Sequence, residues 1–107
     1  MLNLNDIAEQ ARMLAKRRGF NTDVLSTLKH CAGEVIEATE AYTQLEYVTN
    51  SDRAKIKKEA MGQELADIII CALTASVELG FDIEKYIGKA MQKNARRAYQ
   101  ENNNETA

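Results

Sequence analysis

A chain of 107 residues has room for one domain around a single hydrophobic core. Its composition, 45% hydrophobic and 28% charged, excludes a disordered polymer. A net charge of −2, with both signs interspersed, gives no basic face for nucleic acid, and no run of 18 apolar residues suggests a membrane span.

The chain contains no Pro and only 5 Gly. Small strand-rich domains need many turns, and turns consume both residues, so the scarcity predicts a few long helices. The first is expected from about Asn5 to Arg18, where Ile7, Ala11, Leu14 and Ala15 recur at helical spacing and Gly19 suits a C-terminal cap. The second starts at the cap signal Asn21-Thr22-Asp23 and runs to about Val48. Leu25, Leu28, Ala32, Val35, Ile36, Thr39 and Tyr42 form its apolar arc, the side expected to face the core.

Thr49-Asn50-Ser51-Asp52 offers caps for a third helix ending near Gly80, and its stretch from Leu65 to Val77 is apolar nearly all round. Such a helix is normally the central one. A fourth helix starts at Asp82, with Glu84 in its first turn, and reaches about Tyr99. The chain thus reads as one all-α domain over residues 1–99, followed by a flexible polar tail at 100–107. Because four helices leave the third incompletely covered, the bundle is expected to be completed by oligomerisation, as a homodimer or homotetramer.

The acidic residues carry the functional signal. Glu34 and Glu37 form an i, i+3 pair on the second helix, and Glu64 and Asp67 form another where the third turns apolar. An unpaired carboxylate in an apolar setting is costly unless it is ion-paired or holds a cation. On an antiparallel hairpin the two pairs face each other, and four hard oxygen ligands suit Mg²⁺ or Mn²⁺ rather than zinc. Either pair alone more often marks a solvated face.

The fourth helix adds a stripe of Lys89, Lys93 and Arg97 at i, i+4 spacing, with Asn94 and Arg96 nearby. Such a stripe is commonly solvated, yet it also has the charge to neutralise phosphate. Cys31 and Cys71 fit no paired zinc spacing and read as small apolar packing residues. His30, the one histidine, lies near the Glu34 and Glu37 face and reads as a partly exposed, non-catalytic group. The aromatic residues read as packing, with Phe20 or Tyr99 as candidates for a pocket edge. The N-terminus lacks the basic start and apolar run of a secretory signal, so cytoplasmic residence is expected.

Four stretches taken in order resemble the MazG-like, all-α nucleoside triphosphate pyrophosphatases. They are Gly33-Glu34-Val35-Ile36-Glu37-Ala38, Glu64-Leu65-Ala66-Asp67-Ile68-Ile69-Ile70, Leu79-Gly80-Phe81-Asp82-Ile83-Glu84 and Lys93-Asn94-Ala95-Arg96-Arg97-Ala98-Tyr99. The resemblance covers the chain from about Leu28 to Tyr99. It implies Mg²⁺-dependent hydrolysis between the α- and β-phosphates of a nucleoside triphosphate, giving the monophosphate and pyrophosphate. It implies Glu34, Glu37, Glu64 and Asp67 as metal ligands, Glu34 or Glu37 as the group orienting the attacking water, and Lys93, Asn94 and Arg97 as substrate contacts.

The chain departs from the family pattern at Cys31, where many members carry a further acid, and at Ala90, where Lys is common and Lys89 or Lys93 is the nearest substitute. Two competing readings have different chemistry. One is a non-enzymatic helical interaction module, an antitoxin-like or adaptor dimer; the other is a biosynthetic phosphohydrolase acting on a substrate such as phosphoribosyl-ATP.

Overall fold

The computed structural model describes residues 3–106, with side chains described as far as Asn102. Met1, Leu2 and Ala107, the outer ends of the expected domain and tail, lie outside the described residues. Four helices and no strand are found among the described residues: α1 (Leu4–Arg17), α2 (Val24–Glu46), α3 (Ser51–Glu78) and α4 (Ile83–Thr106).

The ends are set by local chemistry. Asn3, Asp23 and Asn50 cap α1, α2 and α3, each side chain accepting from backbone N–H groups of the first turn. Gly19 and Gly80 end α1 and α3 in the left-handed region, at φ 82° and 74°. The amides of Phe20 and Phe81 donate back to the carbonyls of Ala15 and Ser76, so both ends close as glycine-terminated helix caps. At its far end α4 stays helical to Thr106, beyond the Tyr99 expected from sequence. The polar stretch after Tyr99 contains no Gly or Pro to stop it.

α2 and α3 form the antiparallel hairpin expected from sequence, and α1 packs on α3. The hairpin seam follows a regular alternation of three and four residues. On α2 the less exposed positions include Thr27, Cys31, Glu34, Ala38, Ala41 and Leu45, besides Val24 and Ser26 in the first turn; on α3 they include Ala54, Lys57, Met61, Glu64, Ile68 and Cys71. Glu34 and Glu64 therefore occupy places that an ordinary helical hairpin gives to Leu or Ile.

The expected apolar arc of α2 does not face the core of the single chain. Leu25, Leu28, Val35, Ile36 and Tyr42 are exposed, as are Leu65, Ile69 and Ile70 on α3. The physical reason lies in the seam: small and polar residues bring α2 against α3, and the larger side chains on the flanking positions point away. Burial concentrates instead at Leu73–Ser76, where α1 covers the C-terminal half of α3, with Ala8 and Ala11 as the α1 contribution.

Among the described residues, the hydrogen bonds between α4 and the rest of the molecule lie at its start. Asn5 clamps it reciprocally, donating from Nδ2 to Asp82 Oδ1 at 2.9 Å and accepting from Ile83 N at 3.1 Å. Glu84 Oε1 accepts from Leu4 N at 2.8 Å. Beyond this clamp α4 runs into solvent, and the radius of gyration is 17.7 Å, against about 13 Å for a compact chain of this length.

α3 is also long and apolar enough to cross a membrane by length and composition alone. Glu64 and Asp67 stand in its apolar stretch and two helices pack along it, while 22% of that stretch is buried in the single chain.

Candidate metal centre and adjoining cavity

Glu34, Glu37 and Glu64 converge from the two sides of the hairpin seam, each offering an oxygen within 4.8 Å of the others. Glu34 and Glu64 are half-buried and Glu37 is exposed. The buried oxygen Oε2 of Glu64 has no hydrogen-bond partner. A buried acceptor left unpaired costs free energy that a cation or a proton would recover. Hydrogen bonding with Glu34, followed by burial and the charges of Glu34 and Asp67, pushes the Glu64 carboxyl above the usual carboxylate range.

Three hard oxygen donors around an unpaired buried oxygen fit Mg²⁺ or Mn²⁺ and do not fit zinc, which favours nitrogen and sulfur. Asp67, expected as a fourth ligand, lies one turn beyond Glu64 on α3 and is exposed; its charge reaches Glu64 and its side chain helps to line the cavity described next.

That cavity, of about 770 Å³, opens between α1, the start of α2 and the C-terminal half of α3. Glu34, Asp67, Phe20 and His30 are among the residues that line it. His30 Nε2 is 3.3 Å from Glu34 Oε1, and its ring centroid is 6.4 Å from that of Phe20. The Arg18 guanidinium covers the Phe20 ring at 4.8 Å. Of the two aromatic candidates for a pocket edge, Phe20 takes that place, while Tyr99 stands exposed on α4 away from the cavity.

The thiols are free, and Cys31 Sγ points to the carbonyl of Ile68 at 3.9 Å. Burial pushes the Cys71 thiol up, with nearby Cys31, Glu34 and Asp67 adding to it, which keeps the group protonated and unreactive.

The basic residues are elsewhere. Lys89, Lys93, Asn94 and Arg97 are exposed on α4, and none of them lines the cavity. Lys89 Nζ lies 5.5 Å from the Tyr86 ring centroid, a contact within α4. Reading the sequence also missed the α1 side of the cavity, Gln10 and Leu14 among others. The available signal was the hydroxyl run Thr22, Ser26 and Thr27 entering α2 directly after Phe20-Asn21, more polar than a packed helix start requires.

A helical hairpin that places carboxylates from both arms in its seam, beside a cavity, defines an all-α protein of the carboxylate-cluster class. The model of the MazG nucleotide pyrophosphohydrolase domain matches residues 21–100, and the chain belongs to that family. No curated protein and no solved structure gives a significant match.

Proposed function

We propose that the protein is a Mg²⁺-dependent nucleoside triphosphate pyrophosphohydrolase, cleaving between the α- and β-phosphates to release the monophosphate and pyrophosphate. The observation that carries this reading is the unpaired, buried oxygen of Glu64 among the carboxylates of Glu34 and Glu37. Family membership supplies the reaction class, nucleotide pyrophosphohydrolysis. Glu34, Glu37, Glu64 and Asp67 would hold Mg²⁺, with Mn²⁺ as a substitute. A divalent ion there supplies positive charge to phosphate oxygens and lowers the pKa of a water.

Phosphoryl transfer asks a protein mainly for positioning and charge. Glu34 or Glu37 accepts the proton of the attacking water and holds that water in line. Lys89, Lys93, Asn94 and Arg97 supply the phosphate contacts, Arg through its planar fork and Lys as a point charge. In one chain these residues stand away from the carboxylates, so α4 delivers them to the site of a second copy. The exposed apolar positions of α2, α3 and α4 give that copy a surface to cover, as a homodimer or homotetramer. The expected cytoplasmic setting keeps both thiols reduced.

The test is pyrophosphate release from a panel of ribo- and deoxynucleoside triphosphates and phosphoribosyl-ATP, with Mg²⁺ and with chelator. Metal-dependent release by the wild type, lost in Glu64→Gln and Asp67→Asn with folding retained, supports the reaction. A wild type that neither turns over any substrate nor binds Mg²⁺ sinks it in favour of an interaction module.

A further inference from the structure

We infer that Asn5 is a positioning residue: its reciprocal hydrogen bonds to the start of α4 fix the direction of that helix, and with it the place at which Lys93, Asn94 and Arg97 arrive. This inference rests on the pyrophosphohydrolase reading in one respect, that α4 serves the carboxylates of a second copy.

The capping at the junction of α1 and α4 gives the first argument. Each helix already has a local cap: Asn3 accepts from the amides of Asn5 and Asp6, and Asp82 accepts from the amide of Lys85. Each helix also caps the other. Asn5 Oδ1 accepts from Ile83 N at 3.1 Å, and Glu84 Oε1 accepts from Leu4 N at 2.8 Å. Asn5 Nδ2 closes the ring by donating to Asp82 Oδ1 at 2.9 Å, the leading cause that holds the Asp82 carboxyl below the usual carboxylate range. Two helix N-termini carry like partial charge and gain nothing electrostatically by meeting. What the exchange of caps adds to the local ones is a fixed angle between α1 and α4.

Leverage gives the second. The turn into α4 passes through Gly80 at φ 74°, where a Cβ would meet no atom within 4 Å, so packing at that glycine does not restrain the turn. The Phe81 and Tyr86 rings stack at 5.1 Å, but they are close neighbours in sequence. From Glu84 to Asn102 every residue of α4 is exposed. With a rise of about 1.5 Å per residue, Lys93 stands about 15 Å and Arg97 about 21 Å along the axis from Ile83. A swing of about 15° at the start carries these side chains about 4–5 Å sideways, outside the reach of a hydrogen bond to phosphate.

The experiment pairs two measurements on the full-length chain in Mg²⁺. Residual dipolar couplings of the backbone amides give the direction of α4 relative to α2 and α3, and pyrophosphate release from nucleoside triphosphates gives KM and kcat. Asn5→Ala removes the donor and the acceptor together. Glu84→Ala, at an exposed position, removes the Leu4 bond alone. Asn5→Asp/Asp82→Asn exchanges the two groups, so that the carboxylate accepts from Ile83 N and from the new amide, whose oxygen still accepts from Lys85 N. Asn5→Ala is expected to redirect α4 while α1, α2 and α3 keep one common frame, and Glu84→Ala to redirect it by less. Asn5→Ala should raise KM about tenfold, the loss of about one charge-assisted contact, with wild-type Mg²⁺ affinity. The exchange variant should restore both the direction and the KM. A tie serving stability alone would lower the thermal midpoint of Asn5→Ala and leave its KM unmoved.

An unchanged α4 direction in Asn5→Ala and Glu84→Ala, or a redirected α4 with wild-type KM, overturns the role of Asn5. So does an exchange variant that folds and keeps the KM of Asn5→Ala. Release by the wild type separates the two readings. Release with an unaltered α4 direction in the variants leaves the reaction standing and the positioning refuted, whereas an Asn5-dependent direction without release supports the positioning and refutes the reaction.

Discussion

Glu34 on α2 and Glu64 on α3 meet in the hairpin seam with carboxylate oxygens within 4.8 Å of each other, and Oε2 of Glu64 is buried without a hydrogen-bond partner. The crowding shows on Glu64, whose carboxyl is held above the usual carboxylate range by Glu34 first, then by burial and the charge of Asp67. A seam assembled for stability alone would place Leu or Met at these positions.

Relieving the crowding should therefore stabilise the metal-free protein. Glu64→Gln is expected to raise the thermal midpoint in chelator by a few degrees. Mg²⁺ at about ten times its dissociation constant should raise the wild-type midpoint by about 5 °C or more and leave the variant's unmoved. Differential scanning fluorimetry with and without Mg²⁺ reads both effects. A Mg²⁺ response of wild-type size in the variant would remove Glu64 from the ligand set.

A second acid is placed for the opposite purpose. Glu78 near the end of α3 accepts from Arg12 Nε at 2.6 Å and from Thr22 Oγ1 at 2.8 Å, joining α1, α3 and the approach to α2. Hydrogen bonding from Arg12 and then Thr22 holds its carboxyl below the usual range. For an acid with a lowered folded pKa, the stabilisation is complete above the unfolded value and is lost as pH falls through the folded one. Glu78→Gln should therefore melt below the wild type at pH 7 and approach it as the pH drops below the ordinary carboxylate range. A constant difference between the two across that range would show that the ion pair contributes no pH-dependent stability.

These two acids show what the sequence made legible and what it did not. The helices were readable because caps and breakers are local: Asn50 opens α3 and Gly80 closes it within the residues that encode them. Pairing of Glu34 with Glu64 across a hairpin followed from two i, i+3 motifs and an antiparallel turn. The direction each face points was not local. The arc of Leu25, Leu28, Val35 and Ile36 reads as a core stripe, yet the helix turns its small and polar seam to α3 because Glu34 and Glu64 must meet there. The cavity was illegible for a similar reason: Gln10, Phe20 and Thr27 come together only through the packing of α1 on α3.

The two glycines Gly80 and Gly88 separate backbone conformation from packing. Neither position has an atom within 4 Å of a built Cβ, so an added methyl group meets no clash in either place. Gly80 sits in the left-handed region at φ 74°, where a non-glycine residue costs about 1–2 kcal/mol. Gly88 lies inside α4, where alanine gains about 0.5–1 kcal/mol by restricting the unfolded chain. Gly80→Ala should lower the urea midpoint and Gly88→Ala should raise it. Changes of the same sign would show that the Gly80 turn relaxes without cost.

The separation of the α4 basic stripe from the carboxylates leads to a mixing experiment. If α4 completes the site of a second copy, Glu64→Gln and the double variant Lys93→Ala/Arg97→Ala are each inactive alone for different reasons. A heterodimer of the two pairs one intact carboxylate cluster with one intact α4, and so holds one complete site. Random exchange makes about half of the dimers mixed, each with one working site of two, so the mixture should recover about a quarter of wild-type pyrophosphate release. Sedimentation of each variant checks that assembly is retained. Recovery near that level places the cations across the interface. A mixture of assembled but inactive proteins would instead require α4 to serve the carboxylates of its own chain, which the projection of α4 away from α2 and α3 in one chain opposes.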